Sequence, residues 1–509
     1  MTKLSSMLVA MVISILVGLS AVPALAAAQG TTLSASDSAL IGRILLAEDR
    51  RDSTDQALGD GLRHADARVR TFARRALGRI RDPRFVTRDS FPSLPAPTAW
   101  PEPAWRLRYR ALATQREDCG ALRTALGDSA WPVRFRAMAL LTPQCGSDDV
   151  IVMTIRRWID ALPTNTSRRT RGNVSWHAAA HGIVALARIR PNDARDRVRR
   201  LTEHRQWEVR MYAARAAELL SDTATLRQLA DDVSDNVKEA SIEGLAKLVG
   251  HAADSVYRDA LYARGAQVVR AAAIALKGST QPDLPAVASR VFEQWVARAN
   301  QSERDVRVAL LEAAGRPATD DRPPVTRVEL PPRAVALALG DDVRLRVTMS
   351  PSTGGGGSFV VRLRGDVAPM MAARILALAG RGYYDGLTWH RVEHDFVIQG
   401  LSPGANEYIG LAQYLRDELG TVPHVRGTVG MSTRGHDTGD AQWFINLTGN
   451  LRLNRDFTVF AEVVEGMDVV DAVMEGDVVE RVRAVSRSPL PTPARSPRNR
   501  PHRDYGTRG

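Results

Sequence analysis

Cysteine is nearly absent, with two residues in a chain of 509. That excludes a disulfide-dense scaffold and any all-cysteine zinc or iron–sulfur framework. Lysine is scarce as well. Of 69 basic residues only four, Lys3, Lys238, Lys247 and Lys277, are lysine. The formal net charge of +12 is therefore carried almost wholly by arginine spread along the chain. Such a spread reads as compositional bias rather than a phosphate-binding surface, and a nucleic-acid partner is not expected. Long apolar runs are missing beyond the N-terminus. No later segment approaches the roughly 18 apolar residues of a spanning helix, so no transmembrane segment is expected in the mature chain. What is present is ordinary: 44% hydrophobic and 25% charged residues exclude wholesale disorder. The length suggests about three domains.

The first thirty residues set the expected compartment. Lys3 is followed by an apolar run from Leu8 to Leu19, then by small residues at Ala24-Leu25-Ala26 and Ala26-Ala27-Ala28. This is the order of a secretory signal peptide over 1–28, with an uncleaved anchor as the alternative. No cysteine follows the run, so a lipid anchor has no attachment point. The protein is expected to be exported, to a periplasm or to the extracellular space. There a disulfide between Cys119 and Cys145, 26 residues apart, could persist.

Residues 36–315 read as helix after helix. A valine–basic pair followed by small and apolar residues recurs at Val69-Arg70, Val133-Arg134, Val209-Arg210, Val237-Lys238, Val269-Arg270 and Val306-Arg307. The last four starts are 28, 32 and 37 residues apart. A period of about 30 to 40 residues is the mark of stacked supersecondary units, none of which can cover its apolar stripe alone. Asp66, Asp128 and Asp235 precede three of the pairs and suit helix N-caps. The pattern resembles HEAT-like repeats, which implies a solenoid that presents a surface to a protein partner not identifiable from sequence, or a spacer that positions the next domain. His64, His177, His181, His204 and His251 are scattered, with no metal-ligand spacing, and are read as packed or solvated.

Residues 316–337 contain Pro317, Pro323, Pro324, Pro331 and Pro332 and read as a linker. Beyond it the apolar period falls to two: Val343, Leu345 and Val347, then Phe359, Val361 and Leu363 after a run of glycines, predict a hairpin. A helix is predicted from Pro369 to Gly380, and further short strands follow to Val485. Many strands with two helices point to a closed barrel or α+β unit.

Four segments in this region carry a specific pattern: Gly382-Tyr383-Tyr384-Asp385-Gly386-Leu387-Thr388-Trp389-His390-Arg391-Val392 running into Phe396-Val397-Ile398-Gln399-Gly400, then Arg426 to Ser432, Ala441 to Asn446, and Leu453 to Val463. In this order they resemble the cyclophilin-type peptidyl-prolyl isomerases over 338–485. The resemblance implies a mainly-β closed barrel with two helices and an activity that accelerates rotation about X–Pro bonds in polypeptide clients. It makes Arg391, Phe396 and Gln399 the catalytic candidates. Val397, Ser432, Thr433, Gln442, Phe444, Leu453 and Phe457 become the substrate-binding ones. His390 is read as packed, because rotation about a bond needs no proton transfer. No cofactor or metal is implied. Arg452 stands where many relatives carry a tryptophan that binds cyclosporin, Phe457 replaces a pocket histidine, and Leu401 to Tyr408 departs from the usual glycine-rich loop. These changes bear on inhibitor and substrate preference.

Residues 486–509 hold five prolines, six arginines and one acidic residue, and are expected to be a disordered basic tail. The expected whole is an all-α HEAT-like solenoid followed by a cyclophilin-like barrel. It would act as an exported isomerase with a client- or partner-binding platform. The alternatives are a non-catalytic scaffold for proline-containing segments and a holdase chaperone.

Overall fold

The computed structural model describes residues 33–82, 85, 94–163, 176–298, 303–319, 329–350, 356–411 and 413–485. The expected signal peptide and basic tail lie outside the described residues. Three helices open the described chain: α1 (Ala35–Arg50), α2 (Gln56–Arg63) and α3 (Ala67–Arg81). After an extended segment come α4 (Ala104–Ala111), α5 (Cys119–Leu126), α6 (Trp131–Leu140), α7 (Asp149–Asp160), α8 (Trp176–Ile189), α9 (Pro191–Leu201) and α10 (Trp207–Leu219). The series continues with α11 (Thr223–Leu229), α12 (Asp235–Val249), α13 (Asp254–Ala260), α14 (Ala266–Leu276), α15 (Leu284–Ala297) and α16 (Arg304–Ala313). From α8 onward the even-numbered helices pack one on the next, and the odd-numbered ones cover their backs. Alanines at these contacts, among them Ala213, Ala214, Ala272 and Ala273, are fully buried and let the helices approach closely.

The recurring valine–basic pair has a structural cause. All six valines are buried. In three copies the arginine turns back to the carbonyl six residues earlier: Arg70 to His64 at 2.7 Å, Arg210 to His204 at 2.7 Å, and Arg134 to Asp128. Each thereby satisfies a carbonyl in the turn that leads into its own helix. The capping expectation holds at Asp66, whose carboxylate accepts from the Arg68 amide. At Asp128 it is displaced by two residues: Ala130 is the N-cap of α6, and Asp128 accepts from the Ala130 amide at 2.8 Å while pairing with Arg108 at 2.7 and 2.9 Å. It fails at Asp235, which lies one residue inside α12. Cys119 at the start of α5 is bonded to Cys145 in the turn after α6, with their Cα atoms 5.3 Å apart.

The remaining chain forms α17 (Ala334–Ala338), β1 (Arg344–Met349), β2 (Gly357–Leu363), α18 (Pro369–Gly380), β3 (Arg391–Val392), β4 (Val397–Gly400), β5 (Thr428–Met431), β6 (Trp443–Asn446), β7 (Val459–Glu465), α19 (Met467–Asp471) and β8 (Val479–Val485). The strands make one antiparallel sheet in the order β3-β4-β6-β5-β7-β2-β1-β8. The two ends of that order meet. Gly386 and Trp389 donate to the carbonyls of Val479 and Asp477 at 2.8 and 3.0 Å, and Val479 and Gly476 donate back to Leu387 and Trp389 at 2.8 and 2.7 Å. The sheet is thus curled into a closed barrel around Phe359, Trp389, Ile398, Trp443 and Phe460.

The buried residues fall into two cores. One runs through α4 to α16. The other is the barrel interior, and it extends without a break into α1, α2, α3 and α17. The proline-bearing stretch before β1 therefore contributes a buried element, with Ala334, Leu337 and Ala338 lying where α17 meets α1 and α18. The segment before α4 is strapped along the barrel. Pro95 takes bonds from Arg362 and Arg364, Trp100 Nε1 donates to the Val463 carbonyl at 3.0 Å, and Pro101 accepts from Arg426 at 3.0 Å. Arg106, fully buried, reaches the His394 and Leu447 carbonyls and Asp471. Arginine read from sequence as compositional bias therefore does structural work at this seam: its planar fork satisfies several acceptors at once. Among the described residues no helix is long and apolar enough to cross a membrane.

Candidate active site

β3 and β4 are joined by a tight turn, and their register sets Arg391 directly opposite Gln399. Arg391 Nη1 donates to Gln399 Oε1 at 3.0 Å, and Gln399 Nε2 donates to Ser432 Oγ at 2.8 Å. Gln399 is buried, so both ends of its amide are fixed. The Arg391 side chain is nearly half exposed, and its closest carboxylate, Glu393, is 4.0 Å away. The result is a charged fork held on one side and open on the other.

The apolar wall comes from the next two strands. Phe444 on β6 pairs with Gln399 on one side and with Gly430 of β5 on the other. Its ring lies over Gly430, where a Cβ would come within 2.2 Å of Cζ, so only glycine leaves room for it. His424 stacks on the Phe444 ring at 5.6 Å, and Phe457 meets it edge-on at 5.7 Å. Val397, at the start of β4, is buried, while Leu453 and Phe457 are half-buried. Phe396 sits in the β3–β4 turn with Arg391 and Arg452 over its ring at 5.8 and 4.5 Å. Arg452 is thus a stacking residue that the sequence reading treated only as a missing tryptophan. Ser432 and Thr433 follow β5, and the Ser432 amide donates to the Gln442 carbonyl at 2.9 Å.

Arg391, Gln399 and Ser432 are joined by hydrogen bonds, Phe396 by its contact with Arg391, and Phe444 by pairing with Gln399 and by its contact with Phe457. Gln442 differs. Its side chain is buried, and Nε2 turns to the carbonyls of Glu407 and Ile409 at 3.2 and 3.3 Å. The cause lies in the unusual 401–408 loop, where Leu401 and Ala405 have positive φ and the backbone carbonyls need donors. His390 is packed, and burial followed by the Arg391 charge pulls its imidazole down to about 4, so it stays neutral.

Sequence reading missed the support beneath the pocket. His424 is buried, with Nε2 against the Phe457 carbonyl at 3.1 Å and Nδ1 against the Asn446 amide at 3.2 Å. Burial holds its pKa below the ordinary imidazole value. Asn450 donates to the Phe396 carbonyl at 3.0 Å and to Asn446 Oδ1 at 2.7 Å. The available signal was Asn446, a polar residue ending an otherwise apolar strand, which requires buried partners. Also missed was a cavity of about 900 Å³ bordered by Arg391 and Gln399 on the barrel and by α8, α10 and α12 on the helical side.

The class this geometry defines agrees with what the chain resembles. Residues 346–490 match the family model for cyclophilin type peptidyl-prolyl cis-trans isomerase/CLD. A peptidyl-prolyl cis-trans isomerase of Helicobacter pylori is 33% identical over 130 residues, which is 25% of this chain and 80% of that protein. Peptidyl-prolyl cis-trans isomerase B of Bacillus subtilis is 35% identical over 130 residues, covering 25% of this chain and 91% of that protein. The crystal structure of a cyclophilin type isomerase from Cryptosporidium parvum aligns at 19% identity and a TM-score of 0.27, covering 29% of this chain and 99% of that one. The chain belongs to the cyclophilin-type peptidyl-prolyl cis-trans isomerase family, and its enzyme class is that of the family.

Proposed function

We propose that the protein is an exported prolyl isomerase in which the Arg391–Gln399–Ser432 chain and the Phe444 wall form the reaction site. Rotation about a peptide C–N bond faces a barrier of ~18–20 kcal/mol from amide resonance. X–Pro bonds populate both isomers but exchange over about tens to hundreds of seconds. Twisting the bond ends the resonance and leaves a lone pair on the proline nitrogen. Arg391 donates to that nitrogen, and the interaction is stronger in the twisted state than in the planar one, which is what lowers a barrier. Phe396, Val397, Phe444, Leu453 and Phe457 hold the proline ring, while Gln399, Ser432 and Thr433 hold the backbone of the preceding residue. No proton moves, in keeping with the neutral His390.

The observation that carries this reading is the Arg391 fork, anchored at 3.0 Å by Gln399 with its side chain nearly half exposed. Its test is isomerisation of a short Ala-Pro peptide by the full chain and by Arg391→Ala. Acceleration that collapses in the variant supports it, and equal rates from two folded chains sink it. Export is supported by the signal-like first 28 residues and by the Cys119–Cys145 bond, which persists best outside a reducing cytosol. N-terminal sequencing of protein recovered from the envelope or medium tests it. Protein found only in the cytosol with residue 1 retained would refute it.

A further inference from the structure

The cavity beside Arg391 has two unlike walls. The barrel supplies Arg391, Gln399 and the 405–408 loop, and the helical region faces them with α8, α10 and α12. Phe396, Phe444, Leu453 and Phe457 are not among its lining residues, so it opens from the Gln399 side of the proline pocket. Gln399 is bonded to Ser432, next to the backbone assigned above to the residue before proline. A bound chain running N-terminally from its proline is therefore directed into this space. At about 3.3 to 3.6 Å per extended residue, four residues reach some 14 Å beyond the pocket.

The far wall is acidic. Glu239 and Glu243 stand one turn apart on α12, and Glu407 comes from the loop. None of the three forms an ion pair among the described residues. The neighbouring arginines attract these carboxylates but stack or pair with other groups: Arg270 lies over the Tyr408 ring at 4.6 Å, Arg215, itself on the cavity wall, over the Tyr212 ring at 4.8 Å, and Arg434 pairs with Asp305 at 2.6 Å. Glu239 is partly buried on the cavity wall, a carboxylate largely withdrawn from water that Arg270 attracts without forming an ion pair. Such a group needs a partner.

We propose that this cavity is a subsite for the residues preceding the proline, and that it selects X–Pro segments bearing a lysine or arginine within about four residues on the N-terminal side. The inference rests on the isomerase reading and assigns part of substrate choice to the helical region. Burial and then Glu243 push the Glu239 carboxyl up to about 8, so an incoming cation would restore its charge and gain a strong, partly desolvated pair.

The test uses the full chain and two peptides that share an Ala-Pro core. One carries lysine two residues before the proline and the other carries glutamate there. The expected result is about tenfold higher kcat/KM for the lysine peptide, with the ratio falling to about one in Glu239→Gln/Glu243→Gln. Equal rates for the two peptides in the unaltered chain, or a ratio unmoved in the folded variant, would overturn the proposal. Calorimetric binding of the same peptides reads the preference without turnover. A chain that turns over neither peptide yet binds the lysine one better refutes the isomerase reading and keeps the subsite. A chain that turns over both equally does the reverse.

Discussion

The helical region meets the barrel along two seams built on opposite plans. At the first, α1 and α3 share one apolar core with the barrel, and the charges caught there are enclosed. Glu48 pairs with Arg79 at 2.8 Å and Arg75 at 3.5 Å, all three buried, and Arg79 also donates to the Leu419 carbonyl at 2.7 Å. At the second, α8, α10 and α12 stand off from the barrel and leave the cavity beside Arg391, closed at its margins by bonds such as Tyr212 to Glu475 at 2.8 Å and Asn236 to the Gly404 carbonyl at 3.0 Å. A seam meant only to hold would be packed throughout. The second seam retains space beside Arg391, while the first is filled.

The largest effect separates reaction from architecture. Arg391→Ala is expected to lower kcat/KM on an Ala-Pro peptide by about 100- to 1,000-fold, the cost of losing one preorganised donor. The melting temperature should stay nearly unchanged, because the side chain is half exposed. A large drop in melting temperature would mean that the arginine braces the seam instead. Next, Glu48→Ala leaves two arginines buried without their carboxylate and should cost about 3–5 kcal/mol in denaturant unfolding. Activity below the transition should survive. A loss under about 1 kcal/mol would show that water reaches this seam.

Smaller again is the disulfide. Reducing Cys119–Cys145 frees a loop of 26 residues and should cost about 3 kcal/mol by chain entropy. Both cysteines lie in or against the core of α4 to α16, whereas the barrel core continues into α1–α3. Tryptophan fluorescence on each side of the division should then report a first transition in the helical region at lower denaturant, with the barrel following. A single coincident transition would show that the two cores unfold as one.

The sequence made the barrel legible because its chemistry is local. The β3–β4 turn places Arg391, Phe396 and Gln399 within nine residues, and alternation on β6 brings Phe444 opposite Gln399, so motif order alone predicts the cluster. The repeating valine–arginine pair marked helices for a similarly local reason. What it could not convey was which helices face the barrel. Arg79 and Leu419, or Asn236 and Gly404, are separated by 340 and 168 residues. No periodicity encodes such distances. The Gln442 side chain was misplaced for the same reason: the Glu407 and Ile409 carbonyls that capture it belong to a loop whose path depends on positive φ at Leu401 and Ala405.

The finest distinction between the seams is their response to acid. At the open one, burial is the leading cause that holds His177 and His390 down at about 4 and His181 and His394 at about 3. The unfolded chain takes up protons below its ordinary imidazole value of about 6.5 while the folded one does not, so stability falls as pH drops from there toward 4. At the filled seam the sign is reversed for Glu418, which burial and then Glu48 push up to about 7 against the pull of Arg79 and Arg75. The folded state keeps a proton that the unfolded carboxyl gives up, so stability falls as pH rises through about 4.5 to 7. Glu48 acts only at lower pH: burial raises it, but Arg75 and Arg79 outweigh that and hold it below the ordinary carboxylate value. Glu239, which burial raises to about 8 at the open seam, opposes the imidazoles as Glu418 does, so the acid response is read one histidine at a time. His181→Phe keeps the stack on Phe135, whose ring centre is 4.5 Å away, and removes one titrating group. It should flatten the pH dependence by up to about 2 kcal/mol at pH 5. An unchanged slope would place the acid sensitivity elsewhere than in the open seam.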